Sequence, residues 1–161
     1  KKLFMKVVIN NCYGGFSLSP KAVKRMAELQ GKECYFYEGG LSSQFVKVEL
    51  EDLNEHSLSW TAFSVGDMEE LNKLLKMQDN WHKMSDKEKY NFNKKYEEIE
   101  LSMRPNDRAD KFLVQVVEEL GEEASGSCAK LKVVEIPDGV KYEISEYDGK
   151  EHIAEQHRTW S

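Results

Sequence analysis

The apolar pattern runs strand, helix, strands, then helices through the middle, and strands again at the end. "MKVVIN" (5–10) is a short β-branched run, which predicts a largely buried strand. Gly14-Gly15 breaks the run and Ser19-Pro20 opens a helix. A serine hydroxyl satisfies free N–H groups, and proline is preorganised for the first helical position. Val23, Met26, Ala27 and Gln30 share a face of that helix, and Gly31 is its natural stop. "ECYFYEGGLSSQFVKVELEDL" predicts two strands around a loop from Gly39 to Gln44, and "LSWTAFSV" (58–65) a further short strand.

The middle is rich in Lys, Glu, Asn and Met. Met68, Leu71, Leu74 or Leu75 and Gln78 predict one helix. Ser85 with Glu88 three residues on forms a capping box that opens another, with an apolar stripe of Tyr90, Phe92, Tyr96 and Ile99. Beyond Pro105, Asn106 or Asp107 is expected to cap a helix that carries the best stripe in the chain: Phe112, Leu113, Val116, Val117 and Leu120, stopped by Gly121. Leu131, Val133, Val134 and Ile136 then predict a strand. Pro137-Asp138-Gly139 is turn chemistry, and Val140, Tyr142 and Ile144 alternate along the next strand. Asp148-Gly149 is a hairpin signal, and "EHIAEQHRTW" reads as its return strand. The expected fold is a single α+β domain over 1–161. It has a mostly antiparallel sheet, two packed helices (about 20–30 and 107–120) and a helical insertion at about 67–101.

Composition narrows the function classes. The chain has 161 residues, 40% apolar and 32% charged, which suits one globular domain with its own core. The net charge of −6 argues against broad nucleic-acid binding, because phosphate neutralisation needs a basic face. It suits contact with a basic patch on a protein partner. No apolar run approaches the roughly 20 residues that cross a bilayer, so no membrane association is expected. "KKLFMKVVIN" is too short and strand-like for a signal peptide. The three cysteines, Cys12, Cys34 and Cys128, are odd in number and lack CxxC spacing. Free thiols and a cytoplasmic location follow, with Cys12 and Cys34 read as buried.

The first candidate site is the loop before the first helix. A helix opening offers N–H groups and partial positive charge to an anion, and glycines let backbone approach a ligand. Tyr13, Gly14, Gly15, Phe16, Ser17 and Ser19 would hold a phosphate-bearing, nucleotide-like molecule, with Tyr13 and Phe16 stacking on a base and Lys21, Lys24 and Arg25 adding charge. "YGGFSLS" matches neither the Walker pattern nor G-x-G-x-x-G. The plainer alternative is that Gly14-Gly15 turns the chain, Ser19 caps the helix and Phe16 packs against it.

The second candidate is the C-terminal cluster. Arg158 can clamp a phosphate and Trp160 can stack on a base. His152 and His157, five apart, do not share a face on a strand or a helix, so no metal and no cofactor is expected. Cys12 beside a helix opening would serve as a nucleophile only with a base such as His157 in reach. No catalytic residues are assigned.

"MKVVINNCYGGFSLS", "LVQVVEELGEEASG" with "LKVVEIPDGVKYEISEYDG", and the terminal "EHIAEQHRTW" resemble a family of hypothetical proteins from phage and bacterial genomes. The resemblance covers roughly the first 20 and last 50 residues. It implies a phage-linked origin and the host-cell cytoplasm, and carries no residue roles. "RPNDRADKF" lacks the Asp-Pro step that the family usually has before the second helix. The expected function is a phage accessory protein that binds a nucleotide-like molecule, with sequestration of a host defence signal as one use. The alternatives are an inhibitor that meets a host protein through its acidic surface and helical arm, and a small nucleotide hydrolase. A free strand edge would permit homo-oligomers.

Overall fold

A computed structural model describes residues 3–39, 45–53 and 59–156 of the chain. The fold is α+β, and among the described residues every paired strand is antiparallel and the strands fall into three sheets. The chain divides into two compact units, Lys1–Gln30 with Met103–Ser161, and Gly31–Ser102.

In the first unit, β1 (Phe4–Asn10) pairs with β5 (Leu131–Pro137), from Phe4 opposite Pro137 to Asn10 opposite Leu131. Val7, Val8 and Ile9 are buried, as a β-branched run should be when both faces are covered. Helices α1 (Pro20–Leu29) and α4 (Lys111–Leu120) pack on each other and bury Ala22, Val23 and Ala27, and Leu113, Val114, Val116 and Val117. β6 (Tyr142–Tyr147) and β7 (Lys150–Glu155) form the expected hairpin. Its turn places Asp148 at φ 49° and Gly149 at φ 87°, the left-handed pair that Asp-Gly favours.

Helix α4 starts later than its sequence suggests. Asp110, not Asn106 or Asp107, caps it, accepting from the N–H groups of Phe112 and Leu113 at 2.9 and 3.1 Å. The Arg108 carbonyl is engaged by the Val8 N–H at 2.9 Å, so the chain runs beside β1 before it can coil. Asp107 instead accepts from the Ala109 N–H at 3.0 Å.

In the second unit, β2 (Tyr35–Glu38) lies between β3 (Val46–Val48) and β4 (Trp60–Phe63). Helices α2 (Met68–Gln78) and α3 (Asp86–Ile99) follow, α3 opening on the complete Ser85–Glu88 capping box. Tyr37, Phe63 and Leu71 are fully buried at the core, with Phe45, Met68, Leu75, Tyr96 and Ile99 against them. The Phe63 ring meets Tyr37 at 5.8 Å and Tyr96 at 5.7 Å between centroids. Phe92 is buried and Tyr96 and Ile99 half-buried, but Tyr90 is 66% exposed. Two residues before Phe92, it points roughly 200° away around the helix, off the apolar stripe.

Candidate functional site

The loop ahead of α1 is occupied by its own protein. A Cβ on Gly14 would stand 2.1 Å from the Cys128 carbonyl oxygen, one on Gly149 2.6 Å from the Gly14 carbonyl carbon, and one on Gly126 2.0 Å from Ser17 Oγ. The glycines let three chain segments touch, which is the use that close approach serves here. The Leu18 N–H donates to Met103 O at 2.8 Å and the Ser19 N–H to Ala124 O at 2.9 Å. Ser19 Oγ donates to the Glu123 carbonyl and accepts from the Ala22 N–H at 3.2 Å. The Ser17 carbonyl accepts from the Gly126 N–H at 2.8 Å. The turn Gly121–Ala124 therefore seals the opening of α1. Two of the three nearby cations are paired: Lys21 with Glu123 at 3.2 Å, and Arg25 with Glu119 at 2.9 Å and Glu28 at 3.3 Å.

These contacts are made within the loop expected to hold a ligand, Tyr13, Gly14, Gly15, Phe16, Ser17 and Ser19. Phe16 is 6% exposed, and the Arg108 guanidinium covers its ring at 3.6 Å. Tyr13 does project outward, 67% exposed, with Lys150 Nζ 5.4 Å from its ring centroid. Gly15 adopts φ 151°. Arg158, Trp160 and His157 lie outside the described residues.

A buried polar hub beside this loop went unread in the sequence. Asn10 is fully buried at the end of β1. Its Nδ2 donates to the carbonyls of Gly149 at 2.8 Å and Cys12 at 3.0 Å, and its Oδ1 accepts from the Lys130 N–H at 2.8 Å. Its backbone N–H donates to Glu151 Oε1 at 2.7 Å. Glu151 receives Arg108 in a two-pronged pair, Nη1 to Oε1 at 2.7 Å and Nη2 to Oε2 at 3.1 Å. The side chains are 9% and 18% exposed, so the pair works at low dielectric and through charged hydrogen bonds. Four separated segments thus share one network that clamps them together. The sequence signal was Asn10 itself, a polar residue closing a buried β-branched run.

A cleft lies elsewhere in this unit. It measures about 840 Å³ and runs between α4 and the start of β1. Phe4, Met5, Ala109 and Val114 supply apolar surface, and Lys6, Lys111, Gln115, Glu118, Glu119, Glu135 and Asp138 the polar surface. Phe4 is 55% exposed, and Leu3 just before it 69%. Lys6 is tied to Glu118 at 3.0 Å, and Glu119 to Arg25. The Arg25 hydrogen bond, then that of Gln115, holds the Glu119 carboxyl below its usual range. Glu135 and Asp138 have no ion pair among the described residues. Four carboxylates against two lysines leave the lining acidic. The sequence shows α4's stripe but not this cleft, since β1 and β5 meet α4 only through the tertiary fold.

Cys12 is half-buried rather than fully so, and its thiol points at acceptors, Asn10 Oδ1 at 3.3 Å and the Cys128 carbonyl at 3.4 Å. Neither is a base that would activate it for nucleophilic attack. Among the described residues no three His, Cys, Asp or Glu side chains converge to hold a metal ion, and no helix is long and apolar enough to cross a membrane. No family model, curated protein or solved structure matches the chain.

Proposed function

We propose that this chain acts by binding another protein, through the cleft between α4 and β1. The carrying observation is the cleft's chemistry: apolar surface from Phe4, Met5 and Val114 in one lining with the carboxylates Glu135 and Asp138. Such a surface takes an apolar side chain flanked by Lys or Arg, the apolar part supplying affinity and the charges supplying orientation and encounter rate. The resemblance of the terminal blocks to phage and bacterial hypothetical proteins, if it reflects common origin, favours a host protein as target and inhibition as outcome. In the other unit, the exposed Tyr90 on α3 offers a separate aromatic contact.

A nucleotide at Tyr13–Ser19 would have to displace the Leu18 and Ser19 hydrogen bonds and the Arg108 cover on Phe16. A melting-temperature rise with a linear or cyclic nucleotide would restore that reading. A hydrolase would need a base beside Cys12 where Asn10 now stands.

Selection from a displayed random-peptide library tests the proposal. Enriched peptides should carry Leu, Ile or Phe between basic residues and bind more weakly as salt rises. Phe4→Ala should weaken them, and Glu135→Lys with Asp138→Lys should weaken them further. Enriched peptides without basic residues, or equal affinity for the charge-reversed protein, would overturn it.

A further inference from the structure

Cys12 follows β1 and Cys128 precedes β5, and the ladder between those strands brings the two together. Asn10 stands opposite Leu131, and beyond it the Asn11 N–H donates to the Lys130 carbonyl at 2.7 Å. The Cys12 sulfur consequently lies 3.4 Å from the Cys128 carbonyl oxygen. The Cys128 Cβ lies 3.4 Å from where a Cβ on Gly14 would stand, so that side chain starts out on the face toward the Cys12 loop. Cys128 is exposed and Cys12 half-buried, whereas Cys34 belongs to the other unit.

We propose that Cys12 and Cys128 form a reversible oxidative modification site whose co-reactant is a hydroperoxide. The exposed Cys128 reacts first. Its thiolate attacks the peroxide, an S–O bond forms as the O–O bond breaks, and with hydrogen peroxide one water leaves. The Cys12 thiolate then attacks the Cys128 sulfur. An S–S bond forms, the S–O bond breaks, and the departing hydroxide takes a proton to leave as a second water. Two thiols are oxidised by two electrons and one peroxide is reduced. In this step the side chains rotate toward each other, and the bond asks for Cα atoms within about 7 Å. The product ties the loop carrying Tyr13 to the entry of β5 and closes most of the chain into one ring. Such a ring restricts the unfolded state, so the oxidised protein is the more stable form.

The test is to treat the full chain with hydrogen peroxide, alkylate the remaining thiols, digest, and map by mass spectrometry. The expected result is a Cys12 peptide joined to a Cys128 peptide, with Cys34 alkylated. Dithiothreitol should reverse the bond, and the oxidised protein should melt a few degrees higher. Cys34→Ser should bridge to the same extent. Cys12→Ser should leave a sulfenic acid on Cys128 that dimedone traps, and no adduct there would overturn the assigned order of steps. A bridge through Cys34, a Cys128-linked dimer, or Cys128 driven to sulfinic acid while Cys12 stays alkylated would overturn the site.

Discussion

The two units solve the burial problem differently. The Gly31–Ser102 unit is centred on rings: Tyr37, Phe63 and Leu71 with Phe45 and Tyr96 around them. The hydroxyl of its buried Tyr37 is satisfied by the Val65 carbonyl. The unit built from both ends of the chain also has a hydrocarbon core, yet it closes over Asn10, Arg108 and Glu151. A ring core tolerates approximate neighbours, because dispersion and area burial have little direction. A buried charged network does not, because one missing partner strands the rest. The second arrangement gives less tolerance and a more specific joining of distant segments.

The largest effects should come from the two centres. Arg108→Ala strands the Glu151 carboxylate and should cost about 3–5 kcal/mol, measured by urea unfolding. The double variant Arg108→Met with Glu151→Leu leaves no charge unpaired but strands the buried Asn10 N–H, so it should recover only part of the single variant's loss. A loss near zero for Arg108→Ala would make the hub incidental. Phe63→Ala should also cost about 3–5 kcal/mol, by cavity formation, and no second substitution at a charged residue should repair it.

Gly14→Ala should come next, at about 1–3 kcal/mol, because its methyl group would collide with the Cys128 carbonyl. The loss should appear in thermal unfolding without any ligand present. A stable Gly14→Ala protein would return the loop to the list of open sites.

The smallest effects are two carboxylates with opposite signs. Glu119 in the first unit is held below the usual value of 4.5 by Arg25 and then Gln115. Its contribution is full above that value and is lost as pH falls through the lower folded value. Glu119→Gln should therefore destabilise at neutral pH, with the difference vanishing in acid. Glu100 in the second unit is raised above 4.5 by partial burial, and secondarily by Glu97. Its contribution is full below 4.5 and is lost as pH rises through the higher folded value. Glu100→Gln should stabilise slightly at neutral pH and make no difference in acid. Glu100 keeps much of its surface in water, so solvent screening keeps the effect small. Melting temperature against pH for both variants checks the pair of signs.

The candidate site was legible only in parts. Tyr13 is expected to stack on a base, and its ring projects outward with Lys150 beside it. Phe16 was read as a stacking platform, and Arg108, distant in the sequence, covers it. Gly14 is expected to let the backbone approach a ligand, and the atom that a Cβ there would meet is the Cys128 carbonyl oxygen. The α4 cap moved to Asp110 because Val8 holds the Arg108 carbonyl, a contact that no local pattern announces.

What the sequence determined by itself is the set of local elements: the Ser19 cap, the Ser85–Glu88 box, the Asp148-Gly149 turn and the strand and helix periods. Each depends on groups a few residues apart, so composition and spacing carry the information. The tertiary structure alone decided the sealed mouth of α1, the acidic cleft, the meeting of Cys12 with Cys128, and the hub. Asn10 and Glu151 are 141 positions apart, and only packing of the whole unit brings them to 2.7 Å.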